Sequence, residues 1–237
     1  MEEYDPFVRG AFSVGVRTVE LRDAARARTF PCEIWYPALP GRQKEDRRHA
    51  ADDQISLDET RDAEACAGVY PLIGFSHSSG GDRRQSSFLC AHIASHGYVV
   101  GALDHSELVA PELACRPQTA EQRLFIIHGM IESRVPDVRF LLDQMLASGR
   151  LGRGVHIDSQ RIGLVGHSFG GWTVLAAPDS ELRVRAVVAL TPGGASQRKK
   201  NILPVSLSFD WQRSVAMLLL AAEDDAFLPL QGMLEIF

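Results

Sequence analysis

The stretch Arg161-Ile162-Gly163-Leu164-Val165-Gly166 is followed at once by His167-Ser168-Phe169-Gly170-Gly171. The first six residues form an apolar run of strand length, and Trp172-Thr173-Val174-Leu175-Ala176-Ala177 beyond the glycines reads as helix. Gly166 to Gly170 therefore spells G-x-S-x-G between a strand and a helix. In that context a sharp elbow presents a serine hydroxyl above a sheet. The glycines permit the turn, and the helix N-terminus favours negative charge developing beside it. Ser168 is thus the candidate nucleophile. The backbone N–H of the next residue, Phe169, is the first candidate donor to the oxyanion of a tetrahedral intermediate.

Other short apolar runs share the character of this strand: residues 72–76, 98–103, 184–190 and 215–222. Helical stretches at 86–96, 120–146 and 169–177 lie between them. Continuous apolar strands need cover on both faces, which a parallel sheet flanked by helices supplies. Within 120–146, Val135, Val138, Leu141, Leu142 and Met145 follow i, i+3, i+4 spacing, so one stripe faces the sheet. Nearer the N-terminus, Phe12, Val14 and Val16 alternate with polar residues, as do Val19 and Leu21. With the run CEIWY at 32–36 they predict an antiparallel pair joined by the charged turn at 23–28. Residues 41–68 are rich in charge and nearly free of aliphatic side chains, predicting a charged surface excursion with a short helix near 58–67. The expectation is one α/β domain over residues 1–237: a mostly parallel sheet with an antiparallel N-terminal pair and helices on both faces.

Composition narrows the function. The chain of 237 residues is 45% hydrophobic and 23% charged with a formal charge of -5, ordinary for a globular domain. Without a basic block, nucleic acid and anionic membranes are not expected partners. The apolar run at 215–222 is far short of the roughly 20 residues of a membrane span, so no integral membrane segment is predicted. The N-terminus MEEYDPFVRG lacks the apolar segment of a signal peptide, which predicts a cytoplasmic protein. Cys32, Cys66, Cys90 and Cys115 are scattered without zinc-like spacing and read as buried free thiols. His92 and His96 have the spacing of a helical metal pair, but no third ligand accompanies them, and no metal site is predicted.

The strand at 72–76 runs into His77-Ser78-Ser79-Gly80-Gly81, a loop of small residues whose amides can approach a ligand closely. At this point a resemblance emerges. SHSSGG (76–81), ASHGYVV (94–100), ALDH (102–105), VPDVRFLLDQ (135–144), RIGLVGHSFGG (161–171) and the early WYP (35–37) look like the platelet-activating-factor acetylhydrolase and dienelactone-hydrolase-like branch of the α/β-hydrolases. The resemblance covers nearly the whole chain. It implies an α/β-hydrolase fold that cleaves small-molecule carboxylic esters through an acyl-serine, without metal or organic cofactor. It assigns the second oxyanion donor to the N–H of Ser79. Dienelactone hydrolases use a cysteine nucleophile, so a serine at 168 points to the esterase side.

A serine nucleophile also needs a histidine base oriented by a carboxylate, in this fold in the chain order serine, acid, histidine. The strand at 184–190 ends in Thr191, which supplies no anion. The strand at 215–222 ends in Glu223-Asp224-Asp225, any of which does. The resemblance selects Asp225, four residues before Pro229. The histidine belongs on a loop after one more strand, yet the eight histidines (His49, His77, His92, His96, His105, His128, His156 and His167) all lie at or before His167. None has the setting of a triad base. The triad histidine is accordingly expected beyond Phe237, in a hydrolase truncated at its C-terminus before the last strand and helix. The alternatives are a non-catalytic binding module on the same fold and, more distantly, a peptidase or acyltransferase on that scaffold.

Overall fold

Strands β1 (Ser13–Asp23) and β2 (Arg28–Ala38) pair antiparallel along their whole length, from Ser13 opposite Ala38 to Asp23 opposite Arg28. The interrupted alternation in β1 has a packing cause. Val14 and Val16 enter the core on one face beside Trp35, whereas Val19 and Leu21, of opposite parity, pack on the other face with Phe30. The strand changes its buried side midway. The computed structural model describes residues 8–40, 59–147, 151–152, 154–192, 203–228, 230 and 234.

The other strands are β3 (Glu59–Arg61), β4 (Gly68–Ser76), β5 (Val99–Leu103), β6 (Val155–His167), β7 (Val184–Leu190) and β8 (Ala216–Leu220). Among the described residues they form one sheet in the order β3-β1-β2-β5-β4-β6-β7-β8. The β2–β5 contact is antiparallel, and every pairing from β5 to β8 is parallel. This is the mostly parallel sheet with an antiparallel N-terminal pair that the apolar runs predicted, and the α/β-hydrolase fold that the resemblance implied.

Helix α1 (Ser87–Ser95) covers one face, with Cys90, Ala91 and Ala94 against Phe75, Val100, Ala102 and Val165. Two short helices, α2 (Ser106–Val109) and α3 (Pro111–Ala114), were not anticipated. The long α4 (Ala120–Leu146) and α5 (Phe169–Ala176) cover the opposite face. Val138, Leu141, Leu142, Met145, Val174 and Leu175 pack there on Leu72, Leu103, Ile162, Leu164 and Val187. The predicted stripe on α4 is the buried one.

One expectation is corrected. Residues 59–61 are not helical but form β3, parallel to β1 at Val14–Val16. The free edge of β1 offers unpaired backbone groups, and pairing satisfies them; Asp62 N–H donates to Val16 O (2.8 Å). Trp35 Nε1–H donates to Glu59 (3.2 Å) and holds the strand there. Residues 41–58 of the charged excursion lie outside the described residues, and 62–67 form no helix. The four cysteines are free; Cys32 and Cys90 are buried as expected, whereas Cys66 is half-buried and Cys115, after a short surface helix, is exposed. Among the described residues no helix is long and apolar enough to cross a membrane.

Candidate active site

In the sheet Ser76 of β4 sits opposite Gly166 of β6, so the loops leaving these two strands begin side by side. β6 ends at His167 and α5 begins at Phe169, leaving Ser168 alone to turn the chain. Ser168 has φ 54° and ψ -116°, a conformation that costs a non-glycine residue on the order of 1–3 kcal/mol. Its N–H donates to Leu190 O (2.8 Å), and its carbonyl accepts from Trp172 N–H (3.1 Å). The flanking glycines are explained by close approach. A Cβ on Gly166 would lie 2.1 Å from Gly170 O, and one on Gly170 would lie 2.0 Å from Ser76 O. Ser168 is partly exposed while residues 169–175 are buried, and its hydroxyl has no hydrogen-bond partner among the described residues. The Phe169 N–H is the first of α5, where a helix leaves its donors without intrahelical acceptors.

β4 leads into the loop that carries Ser79. Ser78 N–H donates to Gln85 Oε1 (2.8 Å), and Gln85 Nε2 donates back to Ser78 Oγ (2.7 Å). Gly81 N–H donates to Ser78 O (3.2 Å) across a turn in which Gly80 takes φ +77°. The exposed Ser79 has no acceptor for its N–H among the described residues. Further on, Arg83 donates to Asp104 through its backbone N–H (2.8 Å) and Nη1 (2.6 Å). Arg84 Nε donates to Glu33 (2.9 Å). Burial pushes the Glu33 carboxyl up, but hydrogen bonds from Arg61 and Arg84 outweigh it and hold the group below the usual carboxylate range.

Beneath both loops lies a buried polar network with no counterpart among the predicted site residues. Ser76 Oγ is 2.8 Å from His105 Nε2, and His105 Nδ1 is 3.2 Å from Asp137 Oδ2. Asp137 also accepts from Ser106 N–H (2.8 Å), Ser106 Oγ (2.8 Å) and Arg26 Nη1 (2.5 Å). Burial, and then the charges of Arg134 and Arg26, push His105 well below the ordinary histidine range. The ring is neutral, donating from Nδ1 to Asp137 and accepting at Nε2 from Ser76. His77 Nε2 accepts from His105 N–H (3.1 Å), so its proton is on Nδ1 and goes to Ser78 O (2.7 Å). Burial lowers its pKa to about 2.

Arg134 joins this network to both loops. Its guanidinium donates to His77 O (2.6 Å), Ser76 Oγ (3.3 Å), Ser78 O (3.2 Å) and the Glu107 carboxylate, and lies 4.3 Å from the Phe169 ring centroid. A sequence signal for this existed: Arg134 and Asp137 occupy the apolar stripe of α4, one turn before Val138 and Leu141. Charged residues on a core-facing stripe are buried and need partners.

Asp225 lies in the turn after β8, where its Oδ1 accepts from Phe227 N–H (2.8 Å) and Leu228 N–H (2.9 Å). Burial lowers the pKa of His167, and the Asp225 carboxylate opposes that shift, which puts Asp225 within electrostatic reach of the neighbour of Ser168. Glu223 and Asp224 are exposed in the same turn. Among the described histidines none bonds to Ser168. His77 and His105 have both ring nitrogens engaged, and His92 faces His96 on the far side of the sheet from α5. His156 is near the start of β6, twelve residues before Ser168 and on the order of 40 Å away along the strand. His128, exposed on α4, lines a separate cavity of about 500 Å³ with Arg26, Arg28, Glu112 and Glu132. His49 lies outside the described residues.

A chlorophyllase family model matches residues 62–219, from the turn after β3 nearly to the end of β8. The chain belongs to the chlorophyllase family. The match contains the Ser79 loop, Arg134 and the Ser168 elbow, and stops short of Asp225. Among curated proteins, this chlorophyllase-family chain is similar to platelet-activating factor acetylhydrolase of Canis lupus familiaris, 29% identical across 51% of this chain and 34% of that protein. It is similar also to cutinase est1 of Thermobifida alba, 26% identical across 71% of this chain and 47% of the cutinase. The chain thus spans about a third to a half of the length of these relatives. Two solved structures share the fold. Ferulic acid esterase from Streptomyces cinnamoneus superposes with TM-score 0.67 at 21% identity, covering 98% of this chain and 70% of the esterase. A putative dienelactone hydrolase from Klebsiella pneumoniae gives TM-score 0.60 at 14% identity, covering 93% and 78%. The two structures show that the chlorophyllase-family chain shares the α/β-hydrolase fold.

Proposed function

We propose that this chain is a serine hydrolase of small-molecule carboxylic esters. Ser168 Oγ attacks the acyl carbonyl while its proton passes to a histidine outside the described residues, which Asp225 orients. The N–H groups of Ser79 and Phe169 stabilise the oxyanion. The tetrahedral intermediate collapses to an acyl-Ser168 ester as the alcohol leaves with the proton, and water activated by the same histidine releases the acid. The chemistry needs no metal or organic cofactor.

The observation that carries the proposal is Ser168 itself: a strained, partly exposed residue at a helix N-terminus, whose hydroxyl has no hydrogen-bond partner among the described residues. Strain of this kind persists where the surroundings over-determine it, and such positions cluster at active sites. The similar proteins are named for different substrates, among them an acetylhydrolase of platelet-activating factor and a ferulic acid esterase. What they share is ester cleavage, and the proposal is confined to that class.

One observation favours the alternative of a non-catalytic binding module: no described histidine is hydrogen-bonded to Ser168. A single experiment separates the two. The full-length gene product is treated with a fluorophosphonate and the adduct is located by mass spectrometry, alongside p-nitrophenyl acetate hydrolysis by wild type and S168A. An adduct on Ser168, with turnover lost in S168A, supports the esterase. An unlabelled Ser168 with no Ser168-dependent turnover makes the chain a binding module.

A further inference from the structure

We propose that Arg134 is a positioning residue for the oxyanion donors, a role that rests on the assignment of the Ser79 and Phe169 amides to that task. Arg134 is fully buried on α4, and one guanidinium reaches both segments that supply the amides. On the β4 side, Nη1 donates to His77 O (2.6 Å) and Nη2 to Ser78 O (3.2 Å). On the β6 side, its plane lies over the Phe169 ring at 4.3 Å, and Trp172 stacks against that ring at 5.4 Å.

The link to catalysis is peptide geometry. In a trans peptide the C=O and the following N–H point in opposite directions. Arg134 Nη2, together with His77 Nδ1 (2.7 Å) and Gly81 N–H (3.2 Å), holds Ser78 O and so aims Ser79 N–H the opposite way, with no acceptor among the described residues. The preceding peptide is held the same way: His77 O is bound by Arg134, and the opposed Ser78 N–H is taken by Gln85. Ser79 N–H is thus the first amide of the loop left open for a ligand. The pairing of Arg134 with Glu107, which donates nothing to the loop, balances the buried charge, so the guanidinium acts by direction rather than by its field. Only a planar fork spans two carbonyls, a serine hydroxyl and a carboxylate; a lysine ammonium does not.

The test compares R134K and R134M with wild type in the full-length gene product. R134K keeps a cation for Glu107 and guards against loss of folding. Turnover of p-nitrophenyl acetate and hydrogen exchange of the segment 75–85 are both measured. Loss of one aimed donor is expected to lower kcat about 10²-fold with KM changed less than threefold, in R134K as well as R134M. Exchange of amides 78–85 should accelerate while that of β6 and β7 stays protected. A kcat within threefold of wild type in folded R134K, or unchanged exchange in the loop, overturns the proposal. If wild type shows no Ser168-dependent turnover, the esterase reading falls instead, and the exchange result still decides whether Arg134 holds the loop.

Discussion

Ser76 Oγ stands 2.8 Å from His105 Nε2, in a Ser–His–Asp array completed by Asp137 that lies wholly inside the protein. Its hydrogen bonds run in the order of a catalytic triad, but Ser76 is 1% exposed and its hydroxyl also accepts from Arg134. A substrate carbonyl has no route to it. The array is a brace beneath the loops, while the accessible serine is Ser168. A fluorophosphonate should therefore modify Ser168 and leave Ser76 untouched. S76A should keep that labelling and lose about 1–3 kcal/mol of stability, because His105 Nε2 and Arg134 each lose a buried partner. An adduct mapped to Ser76 would reverse the roles of the two serines.

The backbone of Ser168 makes a second, opposite prediction. Glycine adopts φ 54° without strain, so S168G should relieve on the order of 1–3 kcal/mol. The freer unfolded chain offsets roughly 0.5–1 kcal/mol of that. The net expectation is a Tm raised by roughly 2–4 °C together with complete loss of ester hydrolysis. A folded S168G with a lower Tm than wild type would show that the elbow stores no strain.

The same contrast between local and assembled features separates what could be read in the sequence from what could not. The strands at 184–190 and 72–76 and the helix at 120–146 were legible because a run buried on both faces, or along one stripe, is marked by its own residues. The elbow was legible because its chemistry is local, five residues between a strand and a helix. β3 was not, since three charged-rich residues become a strand only by meeting the free edge of β1. The buried network was legible only in part: Arg134 and Asp137 sit on the apolar stripe of α4, but Ser76 and His105 come from distant strand ends and meet them only through the strand order. The polar character of Ser76 and His105 reads as surface until the fold places them inside.

Glu59 should make stability depend on pH. Burial raises its carboxyl to about 7, against the Trp35 hydrogen bond and the charge of Arg61, which lower it; Glu33 adds to the rise and Arg9 opposes it. A raised pKa means the folded state holds the proton more tightly than the unfolded chain. The resulting stability is fully present below the unfolded value of 4.5 and is lost as pH rises through about 7. E59Q retains an acceptor for Trp35 Nε1–H and carries no charge. Its stability should match wild type in trend below pH 4.5 and exceed it at pH 8 by on the order of 3 kcal/mol. Urea unfolding at pH 4.5, 6 and 8 reads this directly, and parallel curves for the two proteins would mean that Glu59 titrates normally.

Asp225 is the acid the proposal depends on, and its turn allows a clean substitution. The side chain uses Oδ1 to accept from Phe227 and Leu228 N–H, a role that the amide oxygen of asparagine also fills. D225N should therefore keep the turn and the Tm while removing the anion that holds the base in its working tautomer. An asparagine at this place in a Ser–His–Asp system lowers kcat about 10⁴-fold. Glu223 and Asp224 stand in the same exposed turn, so E223Q and D224N serve as matched controls and should stay within threefold of wild type. The comparison is made on kcat of the full-length gene product, with the melting temperature of each variant alongside. If D224N loses activity while D225N retains it, the acid moves by one residue. If all three retain it, the orienting carboxylate lies elsewhere and the turn after β8 serves only the fold.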